Sequence, residues 1–267
     1  MKPKQDKKIA AKFLAAVHIF ERKKSMLNLE SIVWNLPDGE KILNGINLNI
    51  DEGRLVVVTG PNGGGKTTLA KVIAGIEQPT SGKIYFDGKE ITNLDITERA
   101  KLGIAFAFQQ PVRFKGLTVK DLLELSAGTE LSEGVLCGYL GKVGLCANEY
   151  INRELNSSLS GGEIKRIEIA SVLARNAKLS IFDEPEAGID LWSFSRLVET
   201  FEELRRENNG TLLIISHQER ILNIADDIIV IADGKVREAG SRDAVWPTLF
   251  ANEKSVRCPL GRDDAKV

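Results

Sequence analysis

The sequence predicts an α/β fold: a core of short buried strands interleaved with helices, an antiparallel β flap and a small helical subdomain. Three observations carry that expectation. Four short, mostly apolar runs, Leu55–Thr59, 104–108, Leu179–Asp183 and 212–216, have the length and composition of buried strands. Helical patterns separate them and fill most of residues 111–175. Two Asp-Gly pairs, Asp87-Gly88 and Asp233-Gly234, read as hairpin turns between strands.

In chain order, residues 1–25 stand apart as a basic extension. Lys2, Lys4, Lys7, Lys8 and Lys12 precede or enter an apolar run in which Ile9, Phe13, Val17 and Phe20 share one helical face. Lys12 within that run, and the lack of a small-residue cleavage site, argue against a secretory signal. The domain proper starts at Met26, where Leu27-Asn28-Leu29-Glu30 opens the first strand, and runs to about residue 242. That leaves the extension dispensable and 243–267 as a tail of mixed polarity. Trp34 stands at the end of the first strand, just before the Pro37-Asp38-Gly39 turn.

The strand Leu55–Thr59 then runs into Gly60, Pro61, Asn62, Gly63, Gly64, Gly65, Lys66 and Thr67, a full G-x-x-x-x-G-K-[ST] pattern. Thr68 continues into a helix expected over Lys66–Ala74, which stops at Gly75. Strand, glycine loop and helix in that order form a phosphate-binding loop. Glycines let backbone N–H groups approach an anion closely, and the helix N-terminus adds a favourable dipole. The chain is thus expected to bind a nucleoside triphosphate, with Lys66 on the β- and γ-phosphates and Thr67 on Mg²⁺.

Four more segments narrow the reading. The strand at 104–108 delivers Gln109 at its tip. Leu159, Ser160, Gly161, Gly162 and Glu163 precede a helical run over 164–174, and a helix start is rich in unpaired N–H groups. Leu179–Asp183 ends in two carboxylates: Asp183 placed for Mg²⁺, and Glu184 placed to polarise a water as general base. The strand at 212–216 ends in His217.

In this order the segments resemble the ATP-binding-cassette (ABC) ATPases over about residues 26–242, with the signature at 159–163 as the most specific mark. The resemblance implies ATP and Mg²⁺ as ligands. It makes Glu184 the catalytic glutamate and His217 the residue that contacts the γ-phosphate, adds Gln109 to the metal set of Thr67 and Asp183, and makes Trp34 the aromatic that stacks on adenine. It also places Ser160, Gly161, Gly162 and the D-loop Asp190 at a nucleotide held by another domain's phosphate loop. Because the chain carries one copy of each motif, the implied working form is two copies arranged head to tail around two nucleotides.

Composition bounds the partners. Lys+Arg 36 against Asp+Glu 37 gives a net charge of −1, so no polyanion such as nucleic acid is suggested. Cys137, Cys146 and Cys258 show no paired spacing, and no run reaches the ~20 apolar residues of a membrane span. A cytoplasmic location follows as an expectation. Phe108-Gln109-Gln110-Pro111, the run Ser160 to Arg166 (S-G-G-E-I-K-R) and the short 109–159 linker are similar to the Suf-type subunits that serve an iron–sulfur cluster assembly scaffold. Asp183-Glu184-Pro185 instead has the form of transporter subunits, whose partner is a membrane permease. The Suf-type scaffold is the expected partner and the permease the alternative.

Overall fold

The structure is a computed structural model and describes residues 25–110, 113–207 and 210–251. The basic helical face of residues 9–20, His18 and Cys258 lie outside the described residues. The chain opens with β1 (Ser25–Asn35), β2 (Lys41–Asp51) and β3 (Leu55–Thr59), followed by α1 (Lys66–Ala74). Next come β4 (Ser81–Phe86), β5 (Lys89–Glu90), α2 (Ile96–Leu102) and β6 (Ile104–Ala107). A helical stretch follows: α3 (Val119–Ala127), α4 (Glu133–Lys142), α5 (Ala147–Tyr150) and α6 (Gly161–Ala174). The chain then returns to the sheet through β7 (Leu179–Asp183), α7 (Leu191–Arg206), β8 (Thr211–Ile215), α8 (Glu219–Ile224), β9 (Asp227–Ala232), β10 (Lys235–Ser241) and α9 (Arg242–Ala251).

Six strands form the main sheet in the order β10-β9-β3-β8-β7-β6, parallel throughout except for the antiparallel edge strand β10. Strands β3, β7 and β8 are buried along their whole length, which is why they read as apolar runs without alternation. Their two faces nevertheless serve different cores. Leu55, Val57, Leu212 and Ile214 pack with the helical stretch, whereas Val56, Val58, Leu213 and Ile215 pack with α1 and a second sheet. That second sheet is the antiparallel flap, in the order β2-β1-β4-β5.

Both Asp-Gly pairs are two-residue hairpin turns with two successive positive φ values, 50° and 77° at Asp87-Gly88 and 52° and 67° at Asp233-Gly234. α6 begins at Gly161, three residues ahead of the expected start, because Ser160 caps it: its Oγ accepts from the Glu163 amide and the Glu163 carboxylate accepts from the Ser160 amide. α9 crosses the expected domain limit at 242 and contributes the buried Val245 to the core.

Arg99 on α2 is fully buried. Its guanidinium donates to the carbonyls of Val72 and Ile73 in the last turn of α1, and to those of Thr92 and Leu94. A cation thus sits at the negative end of the helix whose other end carries Lys66 and Thr67. Since β3, β6, β7 and β8 run parallel, their C-terminal ends converge on one edge, and the loops that follow them meet there.

Candidate functional site

The loop after β3 is shaped by backbone close approach. Gly60 has φ 129°, and a Cβ there would lie 2.1 Å from the Ile231 carbonyl oxygen, so no larger residue fits. The tip of the β9–β10 hairpin clamps the loop from the same side: the Gly234 amide donates to Gly64 (3.1 Å), and the Gly234 carbonyl accepts from Asn44 of the flap (2.8 Å). Loop, hairpin and flap are therefore one hydrogen-bonded unit.

Lys66 is 6% exposed, and its ammonium donates to the Gly60 and Pro61 carbonyls at 2.8 and 2.9 Å. Burial lowers its pKa, opposed by the charges of Glu184 and Asp183. Beside it the Thr67 hydroxyl donates to Asp183 Oδ1 at 3.1 Å. Asp183 is 1% exposed, and burial pushes its carboxyl up despite the Thr67 hydrogen bond. A hydroxyl and a buried carboxylate next to a phosphate loop form a hard-oxygen donor set, the chemistry that Mg²⁺ selects when it keeps waters and phosphate oxygens as its other ligands. Among the described residues there is no group of three or more His, Cys, Asp or Glu that would hold a metal by protein side chains alone.

Glu184 follows β7 in the left-handed region, with φ 46°, a strained placement for this residue type. Its amide donates to Ile215 of β8 (3.0 Å), and its Oε2 accepts from Gln109 Nε2 at 2.7 Å. His217 is exposed after β8; partial burial lowers its pKa, the Lys66 charge adds to this and Glu184 opposes it. Trp34, Leu36 and Ile42 line a cleft of about 360 Å³ together with Asn62, Gly63, Gly64, Gly65, Lys66, Thr67, Thr68 and Glu184. The half-buried Trp34 thus shares a wall with the phosphate loop.

The remaining residues of interest gather elsewhere in the same chain. Ser160 and Gly161 stand exposed at the start of α6, outside that cleft. Gly162 packs on the Gly188 carbonyl, which a Cβ would approach to 2.7 Å. Asp190 caps α7, accepting from the Trp192 and Ser193 amides at 3.1 and 3.0 Å. Within one chain, then, Ser160, Gly161, Gly162 and Asp190 are not among the residues that line the phosphate-loop cleft.

Several participants were not assigned to the site by the sequence. Leu36 and Ile42 enter the cleft only because the flap folds over it. Lys165 is 1% exposed: its ammonium donates to the Phe108 carbonyl and lies 3.4 Å from the carbonyls of Gln109 and Asp183. Glu168, one turn on, accepts from the Phe108 amide at 2.9 Å and pairs with Lys165 at 3.7 Å. These two side chains tie α6 to the segment that delivers Gln109.

Comparison with known proteins agrees with this geometry. The family model described as ABC transporter matches residues 43–187. Over 208 residues the chain is 39% identical to the uncharacterized ABC transporter ATP-binding protein MJ0035 of Methanocaldococcus jannaschii, spanning 75% of this chain and 83% of that one. It is 31% identical over 245 residues to a probable branched-chain amino acid transport ATP-binding protein, LivG, of Archaeoglobus fulgidus, spanning 86% and 93% respectively. A dimeric structure of a post-hydrolysis state of the ATP-binding cassette MJ0796 bound to ADP and Pi superposes with a TM-score of 0.74 at 27% identity, covering 81% of this chain and 99% of that one. The chain belongs to the ABC transporter family and is an ATP-hydrolysing cassette. No helix among the described residues is long and apolar enough to cross a membrane.

Proposed function

We propose that this chain is the ATP-hydrolysing subunit of a membrane transporter, working as a head-to-tail pair of copies that drives a permease. The observation behind this reading is the split of the site. Lys66, Thr67 and Glu184 line one cleft, with Asp183 hydrogen-bonded to Thr67 and Gln109 to Glu184, while the capped helix start at Ser160 stands exposed and is not bonded to any of them. An exposed helix start that keeps N–H donors beyond its Ser160–Glu163 capping pair suits the nucleotide of a second copy.

In this reading Lys66 exchanges its Gly60 and Pro61 carbonyls for β- and γ-phosphate oxygens, and the amides of residues 62–68 cradle the phosphates. Trp34 stacks on the adenine. Thr67, Asp183 and Gln109 would hold Mg²⁺, which neutralises phosphate charge when bound. Glu184 takes a proton from the attacking water, and His217 sits on the γ-phosphate side. Ser160, Gly161, Gly162 and Asp190 of the second copy close the site. Binding a ligand shared by two chains favours the pair by linkage, and loss of the γ-phosphate releases it.

The names of the relatives favour a transporter partner over the Suf-type scaffold. The scaffold reading keeps one specific support, the run Ser160 to Arg166, in which Lys165 reaches the segment beginning Phe108-Gln109. Gentle anaerobic isolation of the protein from its native cells separates the two. A polytopic membrane protein among the stable companions supports the transporter reading. A soluble companion able to hold an iron–sulfur cluster overturns it in favour of the scaffold.

A further inference from the structure

One carboxylate at this edge has no part in the chemistry above. Glu186 lies two residues beyond Glu184, in the turn leading to Asp190, and its Oε1 accepts from the Ser216 hydroxyl at 2.6 Å. Its Oε2 is buried without a hydrogen-bond partner. Burial pushes this carboxyl up; the Ser216 hydroxyl is the main opposing influence, and the His217 amide bears on the same group. Keeping one oxygen of a buried carboxyl unpaired costs stability, which points to a role for the oxygen that is paired.

What it holds is the segment that carries His217. Ser216 is fully buried, and its amide donates to Val58 of β3 at 3.2 Å. Its hydroxyl both donates to Glu186 and accepts from the Gln218 amide at 3.0 Å, so one oxygen closes the turn around His217. The start of α8 has no side-chain cap of its own, which leaves the Ser216 hydroxyl to set the direction in which His217 leaves the strand. Glu186 in turn belongs to the segment that ends in Asp190, where the Glu186 carbonyl accepts from the Ile189 amide at 3.1 Å.

We propose that Glu186 is a positioning residue that fixes His217 through the Ser216 hydroxyl, so that a shift of the 187–190 turn moves the histidine of the same chain. The proposal rests on the role assigned to His217 above. It predicts that Glu186→Ala lowers kcat for ATP by about tenfold with KM changed less than about twofold, since the phosphate loop is untouched. Ser216→Ala, a one-atom change, should do the same. Glu186→Gln, which keeps an acceptor for Ser216, should stay within about threefold of wild type.

The test is a double-mutant cycle with His217→Ala, run on variants whose melting shows that they are folded. If Glu186 acts through the histidine, Glu186→Ala produces no further loss on the His217→Ala background. A full tenfold loss on both backgrounds, or a wild-type kcat for Glu186→Ala and Ser216→Ala, overturns the proposal and leaves the role of His217 standing. A His217→Ala chain with undiminished turnover removes the role of His217 itself, and this proposal with it.

Discussion

Replacing Arg99 by Met tests whether the phosphate-loop helix depends on a cation bound far from the nucleotide. The guanidinium is fully buried and makes four hydrogen bonds to main-chain carbonyls, at 2.6 to 3.0 Å. Burial alone brings its pKa down to about 10. Met keeps most of the stem volume but offers no donor. The Val72 carbonyl retains a long contact from the Gly75 amide at 3.3 Å and the Leu94 carbonyl one from Gln78 Nε2 at 3.3 Å, whereas the guanidinium contacts at Ile73 and Thr92 have no replacement from the new side chain. Each buried carbonyl left unpaired costs roughly 1–3 kcal/mol. Two such carbonyls, with relief from burying a charge offsetting part of the cost, put the net loss at about 2–4 kcal/mol. Against a total stability of roughly 5–15 kcal/mol this is a large fraction. Urea titration of the purified chain should show a lower midpoint at unchanged slope, and the melting temperature should fall by about 10 °C. Arg99→Lys should recover little, because one ammonium cannot span carbonyls from two elements. A loss below about 1 kcal/mol for Arg99→Met would refute the reasoning and mean that water replaces the guanidinium at no cost.

Glu184→Gln keeps the side-chain shape and an oxygen for Gln109, so ATP binding should persist while phosphate release slows by about 10²–10⁴-fold; unchanged turnover would remove Glu184 from the chemistry. Trp34→Ala should weaken ATP binding by about tenfold in a titration while leaving tripolyphosphate binding unaltered, since only the base loses a stacking partner. Glu163 is held at about 2, well below its usual 4.5, by the Tyr150 hydroxyl first and then by Ser160. A depressed carboxylate stabilises the fold above its unfolded value, and that contribution is lost as pH falls through the folded value. The stability gap between wild type and Tyr150→Phe should therefore be widest above pH 4.5 and close toward pH 2; parallel curves across that range would contradict the assignment.

The parts of the molecule legible in the sequence are those whose cause is local. Strands β3, β7 and β8 are buried on both faces, so their apolar runs stand out. The turns at Asp87-Gly88 and Asp233-Gly234 need two positive φ values in a row, which their composition announces. The phosphate loop combines strand, glycines and helix within twenty residues. What stayed hidden depends on distant pairs. The contact of Gly234 with Gly64 joins segments about 170 residues apart, and Arg99 reaches across 27 and 26 residues to Val72 and Ile73. The sequence places Lys165 in the distinctive run Ser160 to Arg166, but its contact with the Phe108 carbonyl exists only once α6 is laid against the segment after β6. Glu186 was masked differently: beside Glu184 it reads as part of a charged turn, and only the fold shows that one carboxylate meets Gln109 while the other meets Ser216.

The claim that the working site is shared between two copies has a direct measurement. Ser160→Arg disables the signature surface and Lys66→Ala disables the phosphate loop, so each chain alone should be nearly silent in a phosphate-release assay. In an equal mixture, half of the pairs are mixed and each mixed pair holds one intact composite site. Turnover should then recover to about a quarter of the wild-type level, following the symmetry of a head-to-tail pair. A mixture as silent as its components, or a Ser160→Arg chain that is fully active alone, would contradict the shared site.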